Sequence, residues 1–427
     1  MKKLDRTGWE VAILIAFVIA LPLVEAPKNI LWVIFVVTWF INRKATGDWG
    51  GKWDGWDTLF ALWFGVYFVG TFFAGIHANE WRGLVDPLQY ISLLWLIKRS
   101  NYQPKQYQQT IIAIGISVLI ALGYGYWNLY VTHDTKHLEL NSVGHFNHTA
   151  VYLVVTFGVL LSYTLSYWKT FRTRYKFIAI ATLLILLTSI IISTSRAGVG
   201  ATAVLVLLLA IAWWPRSKKI VATLVALIVV TSIALINFPP VVVQKHFNTI
   251  KRNHVLNTRD LIWSTGILAW REYPIFGIGA KNSILIDKEA IQAWAKKYYG
   301  EYDREKYIKD MKIVGHMHNL YVTTLVERGA IGLSTLLLVL SVLGWSLLKK
   351  RPKRGDNNLY WAIWGSAVSA WFTHVFIGSV NTTLHHEHAL LAMLLIGLYL
   401  QYSHQIEKKN RILPDSSSVP WISMHSY

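Results

Sequence analysis

The chain has 427 residues, of which 54% are hydrophobic, 14% aromatic and only 15% charged. A soluble domain carries charge on about a quarter of its residues, so an ordinary soluble enzyme is excluded, and so is a disordered chain, which needs low hydrophobicity. There is no cysteine, which removes disulfides, thiolate zinc sites, iron–sulfur clusters and cysteine nucleophiles. The formal net charge of +19 is therefore read first as membrane topology rather than as affinity for nucleic acid.

A bilayer-spanning helix needs roughly 20 mostly apolar residues. Apolar segments lie near 9–24, 29–42, 57–75, 84–97, 107–130, 148–167, 177–194, 199–214, 220–237, 330–348, 358–378 and 388–403. They predict an all-α, polytopic membrane protein with about twelve transmembrane helices. No small-residue cleavage site follows Leu23–Val24, so the first segment reads as a span and not as a secretion signal. With the N-terminus inside, the inner segments hold 24 of the 42 lysines and arginines. The short outer loops hold four (Lys28, Arg82, Lys136, Arg196) and one long outer segment holds 14, leaving none within a span. The basicity thus reads as the positive-inside signal, and no nucleic-acid partner is expected. The expected organisation is nine spans over 1–237, an outer loop domain over 238–329, three spans over 330–403, and a cytoplasmic tail over 404–427 that is a candidate for disorder.

Structureless connections as long as 238–329 are uncommon and usually functional. This one has helical patterning of its own. Arg259 to Glu272 carries Leu261, Ile262, Ile267, Leu268 and Trp270, and the Tyr273–Pro274 step ends it. Ala290–Tyr299 and Glu301–Asp310 read as short amphipathic helices. The loop holds 14 basic and nine acidic residues, an excess that suits an anionic partner such as phosphate or a lipid headgroup. Twelve of the 15 histidines fall on the outer side or at span ends opening onto it, and polar groups converging on one membrane face point to a site there.

Three constellations carry chemistry. Ser195-Arg196-Ala197-Gly198 sits in a connection only a few residues long, so Arg196 lies at the membrane surface among small neighbours. A guanidinium there can grip phosphate with paired hydrogen bonds, or simply meet lipid headgroups. Asn257 or Thr258 can cap a helix that begins at Arg259, which places that arginine in a first turn, where helix N–H groups also attract anions. Gly277 and Gly279 form a lone GxG without strand context, which is no dinucleotide site. Gly315-His316-Met317-His318-Asn319-Leu320-Tyr321 leads into an apolar helix through Glu327-Arg328-Gly329. A histidine near its ordinary pKa of about 6.5 can take a proton from a hydroxyl at neutral pH. His316 and His318 with His385, Glu387 or His388 form a weaker metal-binding alternative, and Glu301 with Asp303 another. Asn147, His148, Arg82, Asp86 and Asn381 are further polar groups, for which a structural role competes.

Together these elements resemble the O-antigen ligase family, part of the ligase/polymerase superfamily of bacterial surface glycans. The resemblance rests on the Ser195–Gly198 element, on Thr258-Arg-Asp-x-Ile-Trp263, on Tyr273-Pro-Ile-Phe-Gly-Ile-Gly279, and on His318-Asn-x-Tyr321 followed by Glu327-x-Gly329-x-Ile-Gly332. It implies a GT-C-like architecture in the bacterial inner membrane with its active site facing the periplasm. The implied reaction transfers O-antigen glycan from undecaprenyl pyrophosphate to lipid A–core, with inversion and without metal or other cofactor. The family's conserved histidine maps to His318 and its arginines to Arg196 and Arg259. His318 is then the expected base, and both arginines are expected pyrophosphate ligands. His316, Asn319, Tyr321, Asn147 and Arg82 are the other expected substrate-binding residues. The partners are the lipid-linked donor, the lipid A–core acceptor and membrane lipids. An O-antigen polymerase or a protein O-oligosaccharyltransferase shares donor and base and stays open. A lipid-linked glycan transporter, from another class, should show inverted repeats and midplane charges, and neither is visible.

Overall fold

The computed structural model describes residues 6–216, 259–300 and 313–412, with positions 218 and 222. In chain order the helices are α1 Arg6–Ala20, α2 Glu25–Thr46, α3 Gly55–Phe72, α4 Glu80–Lys98, α5 Pro104–Tyr130, α6 Phe146–Tyr167, α7 Thr173–Ile192 and α8 Arg196–Trp213. There follow α9 Arg259–Glu272, a 3-10 turn Ser283–Leu285, α10 Lys288–Tyr299, α11 Leu320–Lys349, α12 Asn358–Gly378 and α13 His386–Ile412. Among the described residues there is no strand, only an isolated bridge between Leu140 and Gly144.

Eleven of the twelve apolar segments coincide with helices, and the ninth, 220–237, lies outside the described residues. Among the described residues six helices are long and apolar enough to cross a membrane: α5, α6, α7, α8, α11 and α13. That is the pattern of a polytopic, all-helical membrane protein. The apolar stretch Gly8–Ala20 of α1 is shorter. Helix α2 runs beyond its apolar run at both ends to include Lys28, Arg43 and Lys44, and α4 includes Glu80, Arg82, Asp86 and Lys98. Helices α3 and α12 are rich in Trp, Tyr and Gly, which lowers hydropathy without adding charge.

Helix α6 is the axis of the bundle, packed by α5, α7, α8, α12 and α13. Its crossing with α12 is close because small residues face one another at four-residue spacing. A Cβ on Gly158 would stand 2.4 Å from Ser369 Oγ, and one on Gly365 would stand 2.5 Å from Ser162 Oγ. Without a hydrophobic driving force between helices in lipid, such small-residue seams let backbones approach and gain van der Waals contact.

Charges buried in the bundle are paired. At one end Asp57 accepts from Arg99 (3.0 and 2.6 Å) and Trp95 (3.0 Å), and Lys98 stands 2.9 Å away. Nearby Glu10 accepts from Arg43 (3.1 Å), Asn42 (3.0 Å) and Tyr102 (3.1 Å). At the other end Lys28 pairs with Glu387, which also accepts from Ser142 at 3.0 Å. Unpaired, such charges would cost several kcal/mol each.

The described residues resume at Arg259 in α9, which runs to Glu272, within the stretch where the pattern placed a helix. Helix α10 begins two residues before the expected Ala290, capped by Asp287, whose carboxylate accepts from Ala290 N at 2.6 Å. The expected helix Glu301–Asp310 lies outside the described residues. A second, smaller core joins Ile262, Leu268, Ile278, Ile286, Ile291 and Met317 to Val326 of α11. The loop helices therefore rest on the bundle through α11.

Candidate active site

Helix α11 is broken, and the break builds the site's floor. Gly329 has φ 65 and ψ −170, a region essentially open only to glycine. The break frees the Val326 and Glu327 carbonyls and the Ala330 and Ile331 amides, which need partners. The segment 273–279 supplies them all. Ile278 N donates to Val326 O (2.9 Å), Gly279 N to Glu327 O (3.0 Å), Ala330 N to Pro274 O (2.8 Å), and Ile331 N to Ile275 O (3.3 Å). On its other side Gly75 N donates to Gly277 O (2.9 Å) and Ile76 N to Ile278 O (3.1 Å). The two glycines of the GxG pattern thus serve backbone docking. Gly277 has φ 72, and its Cβ would fall 2.5 Å from the Glu327 carbonyl carbon. Gly329→Ala would set a Cβ 2.0 Å from Ile275 O. It should release the 273–279 segment, at a cost of at least about 1–3 kcal/mol from the backbone strain alone. Limited proteolysis would read this as faster cleavage near Tyr273 in Gly329→Ala than in the parent.

The turn bearing the two histidines is held by groups from three directions. Trp263 of α9 donates its indole N–H to Met317 O at 2.9 Å. Met317 N donates to Thr323 Oγ1 at 3.1 Å, and Thr323 bonds Thr382 at 3.1 Å. Met317 is buried against α9, where a Cβ on Gly266 would meet its sulfur at 2.8 Å. Asn319 caps α11. Its Oδ1 accepts from Tyr321 N (2.9 Å) and Val322 N (3.0 Å), and its Nδ2 donates to Ser379 O at 2.7 Å. Those bonds hold the turn, and the second Nδ2 hydrogen is left for the substrate contact expected of Asn319. His318 itself takes φ 46. A non-glycine residue in the left-handed region stores strain of about 1–3 kcal/mol and persists where surroundings impose it.

The Asn381 side chain stands beside His318 and favours its protonated form. Partial burial and the positive charge of Arg259 hold its pKa below the ordinary value, outweighing Asn381. His316 is held lower, at about 4, by burial and the neighbouring histidines. Its Nδ1 accepts from His318 N at 3.4 Å and bonds Thr382 Oγ1 at 3.1 Å. Both rings are therefore neutral at pH 7, with centroids 4.4 Å apart, and His318 is free to accept a proton.

Arg196 opens α8. Ser195 caps that helix, its Oγ accepting from Gly198 N at 3.3 Å. Gly198 lets α8 meet α6, since its Cβ would stand 3.0 Å from that of Ala150. The preceding Thr194, a β-branched residue, has φ 63, and such an outlier marks imposed geometry. Arg259 is the first described residue of α9, and Arg196 stands at the N-terminus of α8. The Arg259 pKa is depressed, first by burial and next by the charge of Arg196. Its own charge acts in turn on His318. Among the described residues neither arginine has a carboxylate partner. Two half-buried cations beside a neutral imidazole make a receptor for a multiply charged anion. Asn257 and Thr258, the expected caps of α9, lie outside the described residues.

The remaining expected residues fall as follows. Tyr321 donates its hydroxyl to Val375 O at 3.0 Å and lies against α12. Asn147 is in the first turn of α6, half-buried, one residue from His148. Arg82 is exposed on α4, while the opposite face of that helix, with Gly83, Asp86 and Tyr90, lines a cavity of about 240 Å³. That cavity reaches His316, His385 and Arg328 and so opens onto the histidine cluster. The proposed metal pairing of His316 and His318 with Glu387 does not form. Glu387 is committed to Lys28 and Ser142, and the histidines whose ring nitrogens approach one another are His148, His385 and His388. Glu301 and Asp303 lie outside the described residues. Sequence reasoning missed Trp263 as a clamp on Met317, and missed Asn282. The latter is buried and ties the loop to the turn before α4, accepting from Asn79 N at 2.9 Å and donating to Ile76 O at 2.6 Å.

Residues 181–337 match the family model described as O-Antigen ligase. Over that region the chain is similar to the O-antigen ligase family. Family members are glycosyltransferase-like enzymes of the ligase/polymerase kind. The family region includes Arg196, Arg259, His316, His318, Asn319 and Tyr321. A curated protein of Haemophilus influenzae (strain ATCC 51907 / DSM 11121 / KW20 / Rd) is 26% identical over 308 residues, covering 64% of this chain and 69% of that protein. It is described only as an uncharacterized protein.

Proposed function

We propose that the protein is an O-antigen ligase, moving O-antigen glycan from undecaprenyl pyrophosphate to lipid A–core at the periplasmic face of the inner membrane. The observation that carries this reading is the pair Arg196 and Arg259, mutually close and without a described counter-charge, beside neutral His318. The match of residues 181–337 to the O-antigen ligase family model supports it.

A sugar on a lipid pyrophosphate already has a good leaving group. Two guanidinium groups stabilise the charge that develops as the pyrophosphate departs, the task a metal serves elsewhere. His318 takes the proton of the acceptor hydroxyl as its oxygen attacks the anomeric carbon. Attack opposite the leaving group inverts the configuration. The helices of 259–299 cover the site and exclude water, which would otherwise hydrolyse the donor. The acceptor sugar approaches through the cavity beside His316.

The reading requires pyrophosphate. A donor with the same glycan on undecaprenyl monophosphate leaves one arginine unmatched and offers a poorer leaving group. Purified protein should transfer glycan from the pyrophosphate donor and be at least about a hundredfold slower with the monophosphate, the loss typical of one missing transition-state contact. Equal use of both donors would remove the clamp from the mechanism. Glycan lengthening on the lipid donor would favour the polymerase.

A further inference from the structure

Behind the base lies a second group of histidines, which the transfer reaction leaves unused. The ring centroids of His148 and His385 are 4.5 Å apart, those of His385 and His388 5.0 Å, and those of His148 and His388 5.6 Å. One ring nitrogen from each lies within 4.8 Å of the others. The hydrogen bonds around them decide which nitrogens carry protons.

His374 Nδ1 bonds Ala370 O at 2.9 Å. A carbonyl only accepts, so this nitrogen carries the hydrogen, and Nε2 of the neutral ring is an acceptor. His388 Nδ1 lies 3.4 Å from that acceptor and must donate to it. His388 Nε2 is then a bare lone pair, and it is buried without a partner. His385 Nε2 likewise donates to Thr382 O at 3.0 Å, which leaves its Nδ1 unprotonated. His148 Nδ1 is also buried without a partner. The backbone on both sides of His385 is forced, with Leu384 at φ 59 and His386 at φ 53. Three imidazoles are thus crowded together with unpartnered nitrogens among them, and strain is spent on holding His385 there.

We propose that His148, His385 and His388 bind a divalent first-row transition metal, zinc in the first place. Neutral imidazole nitrogens are the preferred donors for such ions, and three of them leave a fourth position for water or a substrate oxygen. The His388–His374–Ala370 relay is the second-shell bond that fixes a metal-binding tautomer. Carboxylates take no part, since Glu387 is held by Lys28 and Ser142, so magnesium and calcium are poor candidates. The ion joins the start of α6 to the start of α13 and backs the His316–His318 turn, with His316 about 6 Å by ring centroid from both His148 and His385. It stands beside the bond-making centre and does not replace the arginines.

The test uses full-length protein without a polyhistidine tag, stripped with chelator and back-titrated with zinc alone. Elemental analysis should find one zinc per chain, and X-ray absorption should place nitrogen ligands at about 2.0–2.1 Å. His385→Ala should lose the ion, and His374→Phe should weaken binding about 10–100-fold. His318→Ala should keep the ion while losing transfer, which separates this site from the catalytic reading. Failure of the wild-type protein to take up zinc would overturn the proposal, and so would equal uptake by His385→Ala. Circular dichroism of His385→Ala and His374→Phe shows whether they fold, and the wild-type titration decides the matter even where they do not.

Discussion

Replacing His318 by alanine should reduce glycan transfer about 10²–10⁴-fold, the contribution of a positioned general base, with the protein still folded and inserted. The side chain is half-buried beside Asn381, while the turn around it is held by Trp263, Thr323 and Asn319. The acid limb of the pH–rate profile should also identify this residue. Burial and Arg259 lower the His318 pKa below its ordinary value, so the base is neutral above that lowered value. Activity is then full at pH 7 and falls as pH drops through a midpoint below about 6.5. Removing the Arg259 charge should move that midpoint upward. Full activity in folded His318→Ala, or a midpoint that ignores Arg259, would assign the proton transfer elsewhere.

Arg196→Ala and Arg259→Ala should each lower kcat/KM for the donor about 10²–10³-fold, the range for losing one stabiliser of developing charge. The acceptor KM should stay unchanged. Because both arginines would hold one pyrophosphate, the double variant should lose less than the product of the two single losses. The lysine substitutions restore charge but not the bidentate fork, and should recover only part of the rate. Wild-type donor kinetics in Arg196→Lys and Arg259→Lys would argue that these cations serve lipid headgroups instead.

The residues with local signatures were legible. Hydropathy located the helices, and the apolar spacing with the Tyr273–Pro274 step placed the end of α9 at Glu272. Helix ends were less so, because α2 and α4 extend into charged turns whose partners lie far along the chain, as Lys28 does with Glu387. The break at Gly329 was invisible to periodicity, since α11 is apolar on both sides of it. Its reason lies 50 residues earlier, in the backbone of 273–279. Asn319 shows a signal with two readings. An asparagine before an apolar run is also a helix cap, and here it makes the cap bonds. Trp263, Asn282 and Asn381 act through partners remote in sequence, so nothing near them declared their roles. The three histidines whose ring nitrogens approach one another come from α6, a strained loop and α13, and only the fold brings them together.

The most direct test of the account supplies purified protein in detergent with undecaprenyl-pyrophosphate glycan and lipid A–core and resolves the products on a gel. The account predicts a ladder on lipid A–core that disappears in His318→Ala. Glycan left on its lipid donor, with no covalent product on lipid A–core, would contradict it.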